Sequence, residues 1–276
     1  MKRSSQSLVK DPEPSMAAVP ARRFGVLGTL RLDIGGAAVA VTAGKMKVVL
    51  AALLLNENEP VTGDRLIEYM WDMPPASART LLHSVILRLR RIAGDRGFIL
   101  TRGSNYVLKV EPGELDLHDL AALLEQADRA RARSDVATEH ACLTRAVELW
   151  RGPTLADVPS PALRLGIATR FDEMRLQALN RRIDLDLALG RHAQAVSRLR
   201  ELTHEHPYNE HFWAQLMTAL SRCGRQAEAL GAYHELRRVL GGELGIEPGP
   251  DVRAVFLSIL GPRRDGAPRL RNVTGG

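Results

Sequence analysis

Seven basic side chains and one acid share residues 77–110: Arg79, Arg88, Arg90, Arg91, Arg96, Arg102 and Lys109 against Asp95. The other 242 residues hold 31 basic and 31 acidic side chains, so the formal charge of +6 resides in this one stretch. A focused basic element in an otherwise balanced chain points to an anionic partner, of which a nucleic-acid backbone is the commonest. Arginine adds a planar fork that can pair with guanine O6 and N7, and an apolar side chain such as Leu87 can meet a thymine methyl. The alternative is an amphipathic helix with a solvated basic face. Such a helix normally gains from acid–base pairs one turn apart, and residues 77–93 contain no acid at all.

Other chemistry finds little support. Gly44-Lys45 is followed by Met46 and lacks the earlier glycine of a phosphate-binding loop. His204 and His206 are two apart and share no helical face, and no cysteine stands near them, so neither a metal site nor a cofactor is expected. No nucleophile motif is present, and an enzyme is not expected. Cys142 and Cys223 are far apart and read as reduced, partly buried thiols, in keeping with a cytoplasmic protein. No apolar run reaches the length of a membrane span.

The elements that carry the basic stretch follow from periodicity. Phe24–Leu27, Leu30–Ile34 and Val39–Thr42 read as short strands, with Gly35-Gly36 as a tight turn. A helix follows from Gly44, with Met46, Val49, Leu50, Leu53 and Leu54 on one face. Thr62 is placed as the N-cap of a second helix running to Trp71, with Val61 and Leu66 as a hydrophobic staple. Pro74-Pro75 breaks the chain and Ser77 is expected to cap a third helix reaching about Ala93. On that helix Ala78, Leu82, Val85, Ile86, Leu89 and Ala93 form the apolar side. Thr80, His83, Ser84, Leu87, Arg88 and Arg91 fall on or beside the opposite face, and Arg90 flanks one edge. Phe98–Arg102 and Tyr106–Val110 then form a hairpin around Gly103-Ser104-Asn105, with Arg102 near its tip.

Beyond Pro112-Gly113 the chain reads as nearly all helix. Ser160 and Pro161 suit the N-cap and first position of a helix reaching Leu189. GRHAQAV at 190–196 recurs as GRQAEAL at 224–230, a shift of 34 residues. Leu179 then aligns with Trp213, Ile183 with Met217, Leu199 with Tyr233 and Leu202 with Leu236. Thirty-four residues is the tetratricopeptide period, and such repeats usually bind proteins. The expected fold is therefore mainly α with a small β component. Residues 1–20 are a tail, 21–112 a winged helix-turn-helix sufficient for DNA binding, 113–260 a tetratricopeptide-like helical domain and 261–276 a second tail. A scaffold whose basic module docks an acidic protein or RNA stays open as an alternative on these grounds.

The segments RFGVLG (23–28), ELDLH (114–118), LWRGP (149–153) and GIEPGP (245–250), set in this order of elements, resemble the Streptomyces antibiotic regulatory protein family. The resemblance covers about residues 22–260 and implies an OmpR-type winged helix followed by a bacterial transcriptional activation domain. It further implies an activator of secondary-metabolite genes. Such a protein binds double-stranded DNA at direct repeats, as a homodimer on DNA, and recruits RNA polymerase holoenzyme with its sigma factor. Carried onto this sequence, the DNA-contacting residues are Thr80, His83, Ser84, Leu87, Arg88, Arg91 and Arg102. The loop Asp72, Met73, Pro74, Pro75 and Ala76 matches the segment that meets polymerase. OmpR-type modules occur in two-component systems, but no receiver domain is expected here.

Overall fold

The computed structural model describes residues 21–94 and 97–261; the tails expected at 1–20 and 262–276 lie outside the described residues. The described residues form two compact units that do not follow chain order. One comprises residues 21–118 with 152–168, the other 119–151 with 169–261. A cut after residue 112 therefore assigns 113–118 and 152–168 by sequence order, whereas packing assigns them to the first unit.

That unit opens with an antiparallel sheet of β1 (Arg22–Gly25), β2 (Arg31–Ile34) and β3 (Ala37–Ala38). β1 ends earlier than its apolar pattern predicts. The N–H groups of Val26 and Leu27 donate to the Asp116 carboxylate at 3.0 and 3.1 Å instead of to a neighbouring strand. The third strand begins two residues before the expected Val39. Gly35 and Gly36 both have positive φ, +60° and +82°, and so reverse the chain in two residues and pair Ile34 with Ala37 at once. Val39 still donates to Leu32 O, after which Val41 enters the core.

Helix α1 (Gly44–Leu54) is buried from Val48 to Leu54 and forms the centre of the unit. A two-residue strand β4 (Val61–Thr62) leads into α2 (Gly63–Met70). Thr62 caps it as expected, its Oγ1 accepting the Arg65 N–H at 3.1 Å. Helix α3 (Ala78–Ile92) starts where Ser77 stands, but the Ser77 side chain makes no cap. The turn after Pro74-Pro75, closed by Ala78 N–H to Pro75 O, holds Ser77 at φ −86° and ψ 6°, not in the extended conformation that an N-cap adopts. Gly94, with φ +66°, ends the helix.

Strands β5 (Ile99–Arg102) and β6 (Asn105–Leu108) follow, with β4 joining them in the order β4-β6-β5. The hairpin turn is two residues rather than three. Gly103, at φ +61°, lets the chain reverse so that Arg102 pairs directly with Asn105.

The second unit contains α4 (Asp116–Ala132) beyond its first turn, and α5 (Val136–Glu148). After α6 (Pro161–Leu163), capped by Ser160, the helix passes through one π-helical turn, Arg164–Ala168. It continues as α7 (Thr169–Ala188), followed by α8 (His192–Glu205), α9 (Glu210–Arg222), α10 (Gln226–Glu243) and α11 (Pro250–Leu260). The 34-residue register is real. Leu179, Trp213, Ile183, Met217, Leu199, Tyr233, Leu202 and Leu236 all lie in one core, and Gly190 and Gly224 take φ of +77° and +75° at equivalent turns. Cys142 is buried, Cys223 half-buried, and neither is in a disulfide. Among the described residues no helix is long and apolar enough to cross a membrane.

Candidate nucleic-acid interface

Helix α3 is amphipathic because its sequence sets apolar residues at three- and four-residue spacing. Ala78, Leu82, Val85, Ile86 and Leu89 are buried against the unit's core. The opposite face presents Thr80, His83, Ser84, Leu87, Arg88 and Arg91, all exposed, and Arg102 is exposed at the hairpin tip. All seven residues singled out from the sequence are thus at the surface, six of them on one helix. Leu87 is 59% exposed, an unusual position for a large apolar side chain on an otherwise polar face.

The face is electrostatically unopposed. Helix α3 contains no acid, and no carboxylate among the described residues pairs with Arg88, Arg91 or Arg102. Arg79 differs, since its Nη2 lies 3.0 Å from Asp64 Oδ1. Ser84 Oγ donates to Thr80 O at 3.0 Å, so its proton is used within the helix and its lone pairs face outward. The His83 ring meets the Tyr106 ring edge to face, 6.4 Å between centroids, which ties its orientation to β6.

Sequence reasoning missed the role of Arg90. Its guanidinium is turned inward. Nε and Nη2 donate to Ile99 O at 2.9 and 2.6 Å, and Nη2 also donates to Thr101 Oγ1 at 2.8 Å. This fork fastens α3 to β5 and fixes the hairpin relative to the helix. Its position on the edge of the helix was visible in the sequence; the strand it would reach was not. Gly63 completes the seating, because its N–H donates to Ser104 O, and a Cβ there would lie 3.2 Å from that oxygen.

Asp72, Met73, Pro74, Pro75 and Ala76 form an exposed loop between α2 and α3, and Met73 is 88% exposed. The loop starts from a fixed point. Lys45 Nζ donates to Met70 O and lies 4.5 Å from the centre of the Trp71 ring. Burial pushes the Lys45 ammonium below its usual range, and the nearby Asp72 carboxylate acts against that shift. In the other unit the histidines do not converge. His211 pairs with Asp184, His206 packs on Phe212, and His234 packs on Tyr233 and Phe256.

Comparison with known proteins places the chain among bacterial transcriptional regulators. Residues 115–260 match the bacterial transcriptional activator domain. The chain is 39% identical over 242 residues to the regulatory protein AfsR of Streptomyces coelicolor, covering 87% of this chain and 24% of AfsR. It is 36% identical over 250 residues to the regulatory protein DnrI of Streptomyces peucetius, covering 86% of this chain and 92% of DnrI. The solved structure of Mycobacterium tuberculosis EmbR in complex with a low-affinity phosphopeptide superposes with a TM-score of 0.80 at 34% identity. The match covers 87% of this chain and 65% of that one. The chain thus spans about a quarter of the length of AfsR but nearly all of DnrI.

Proposed function

The chain belongs to the Streptomyces antibiotic regulatory protein family, whose members are transcriptional activators and not enzymes, and from this we propose that it activates transcription as a DNA-bound protein in the cytoplasm. Helix α3 enters the major groove and presents Thr80, His83, Ser84, Leu87, Arg88 and Arg91 to base edges and phosphates. Arg102 on the hairpin reaches the adjacent minor groove, where narrow A·T stretches concentrate negative potential. The observation that carries this reading is the acid-free exposed face of α3, with an apolar Leu87 among its arginines. A face built only for solvation has no use for that combination.

Two copies occupy direct repeats about one helical turn apart, which places both on one side of the duplex as a dimer on DNA. The exposed loop of Asp72, Met73, Pro74, Pro75 and Ala76 meets RNA polymerase holoenzyme, including its sigma factor, and the target genes serve secondary metabolism such as antibiotic synthesis. Recruitment needs little energy, because about 1.4 kcal/mol changes promoter occupancy tenfold.

The test is binding of purified protein to its own promoter region, read by footprinting across a salt series. Arg88→Ala or Arg91→Ala is expected to cost about 1–3 kcal/mol and to relax preference at one base pair if the arginine forks onto a guanine. A phosphate contact would instead weaken all sequences alike and flatten the salt dependence. Arg102→Ala is expected to act mainly at sites with a narrow minor groove. Operator binding by all three variants as tight as wild type would remove this face as the interface.

A further inference from the structure

Residues 153–163 lie within the stretch matched by the activator domain, yet they fold onto the winged helix. Leu155, Val158 and Leu163 are fully buried in the core that also holds α1, α2 and α3. The N–H groups of Leu155 and Ala156 donate to Val26 O and Gly28 O at 3.1 and 3.2 Å. Asp157 accepts the Leu30 N–H at 2.8 Å and forms an ion pair with Lys47 at 2.5 Å. Pro159 comes so close to the start of α1 that a Cβ on Gly44 would lie 3.0 Å from it.

The last contact of this strap falls at the end of α2, just before the exposed loop 72–76. Ser160 is 1% exposed, and its Oγ donates to Tyr69 O at 2.8 Å while accepting the Leu163 N–H at 3.4 Å. Tyr69 O is among the final carbonyls of α2, which have no partner within their own helix. The next carbonyl, Met70 O, is taken by Lys45 Nζ. Two outside donors therefore hold the end of α2, and the exposed loop 72–76 begins two residues later. From Leu163 the chain runs through the π-helical turn directly into α7 of the repeat unit.

We infer that the strap formed by residues 153–163 is a positioning element for activation, in which Ser160, through Tyr69 O, sets the conformation of the loop 72–76. The inference rests on the reading of that loop as the polymerase contact. The strap belongs to the matched activator domain by sequence and to the winged-helix unit by packing: the chain continues from it into α7, and a single hydrogen bond, Ser160 Oγ to Tyr69 O, joins it to the helix end from which the loop starts. Ser160 touches neither DNA nor polymerase.

The test uses the full chain with Ser160→Ala and, as a variant that keeps the hydroxyl but crowds the strap, Gly44→Ala. Three quantities are read: operator affinity, transcription at saturating operator occupancy, and hydrogen exchange at the Trp71 amide, which donates to Ile67 O at the end of α2 where the loop begins. Both variants are expected to bind operator within about twofold of wild type and to transcribe about threefold less or worse. They are also expected to exchange the Trp71 amide about tenfold faster, as easier opening of the end of α2 requires. Asp72→Ala and Met73→Ala run in parallel. If these lower transcription while the strap variants change neither transcription nor exchange, the inference is overturned. A loss of operator binding in the strap variants also overturns it, because the strap would then serve the DNA-reading face. If Asp72→Ala and Met73→Ala leave transcription intact, the polymerase reading of the loop fails. Exchange then decides alone: faster exchange upholds the strap as the loop's anchor, and unchanged exchange refutes it.

Discussion

A fragment ending after Pro112 is expected not to fold. The cut removes Leu115, Leu155, Val158 and Leu163 from the core of the winged helix, each at 1% exposure or less. Side chains of this size are worth about 1.5–3 kcal/mol each when fully buried, so their loss costs about 6–12 kcal/mol. A domain's whole stability is about 5–15 kcal/mol, so the loss alone approaches or exceeds what holds the unit together. The cut also strips the Asp116 carboxylate from the Val26 and Leu27 N–H groups, and Asp157 from the Leu30 N–H and Lys47. Thermal melting followed by circular dichroism, with an amide NMR spectrum at low temperature, reads the outcome. Residues 21–112 are expected to show no cooperative transition and collapsed amide dispersion. Rejoining 152–168 to residues 21–118 through a flexible linker of about 20 residues, in place of 119–151, is expected to restore both. A dispersed spectrum, a cooperative melt and a specific footprint from 21–112 alone would refute the packing argument.

Two further outcomes follow from side chains that position the interface. Arg90→Ala removes three charge-assisted hydrogen bonds between α3 and β5. It is expected to cost about 1.5–3 kcal/mol in urea unfolding and to weaken operator binding without altering base preference, and Lys at this position should not rescue the planar fork. Asp157 gives a pH dependence. Burial pushes its carboxyl up, but hydrogen bonds from Lys47 and the Leu30 N–H outweigh that and leave it below the usual carboxylate range. Its contribution to stability is therefore present above the unfolded value of about 3.9 and is lost as pH falls through the lower folded value. Asp157→Asn should be less stable than wild type at neutral pH, with the gap closing in acid; a gap independent of pH would show that the charge contributes nothing.

The face of α3 was legible because a helical period separates buried from exposed residues without reference to the rest of the molecule. Leu82, Val85, Ile86 and Leu89 went in and Thr80, Ser84, Arg88 and Arg91 stayed out, as the 100° spacing requires. The repeat was legible for the same reason, since its period is local and its glycines recur with it. What failed to show was non-local. Arg90 looks like its neighbours until β5 is placed beside it. β1 looks as if it runs two residues further, to Leu27, until Asp116, 90 residues from Val26, takes the amides that would have continued it. Ser77 has the right chemistry for a cap and the wrong backbone.

The strap is the clearest case of this, and its strain argues that it is built in. Leu155 sits at φ +54°, a left-handed conformation that costs a residue with a Cβ about 1–2 kcal/mol. Such a conformation persists only where the surroundings over-determine it. Here they do: the Leu155 side chain is wholly buried, its N–H is bonded to Val26 O, and the next amide is bonded to Gly28 O. The strained turn is what brings Asp157 to Leu30 and Lys47, and thereby Ser160 to Tyr69. Of the four segments that carried the family resemblance, RFGVLG at 23–28, ELDLH at 114–118 and the end of LWRGP at 149–153, where the strap begins, meet at this junction in the first unit, while GIEPGP at 245–250 lies in the second. Their residues are neither base-reading nor repeat-forming. Much of the chemistry that marks the chain as a member of its family thus holds a piece of the sequence matched by the activator domain in the winged-helix unit.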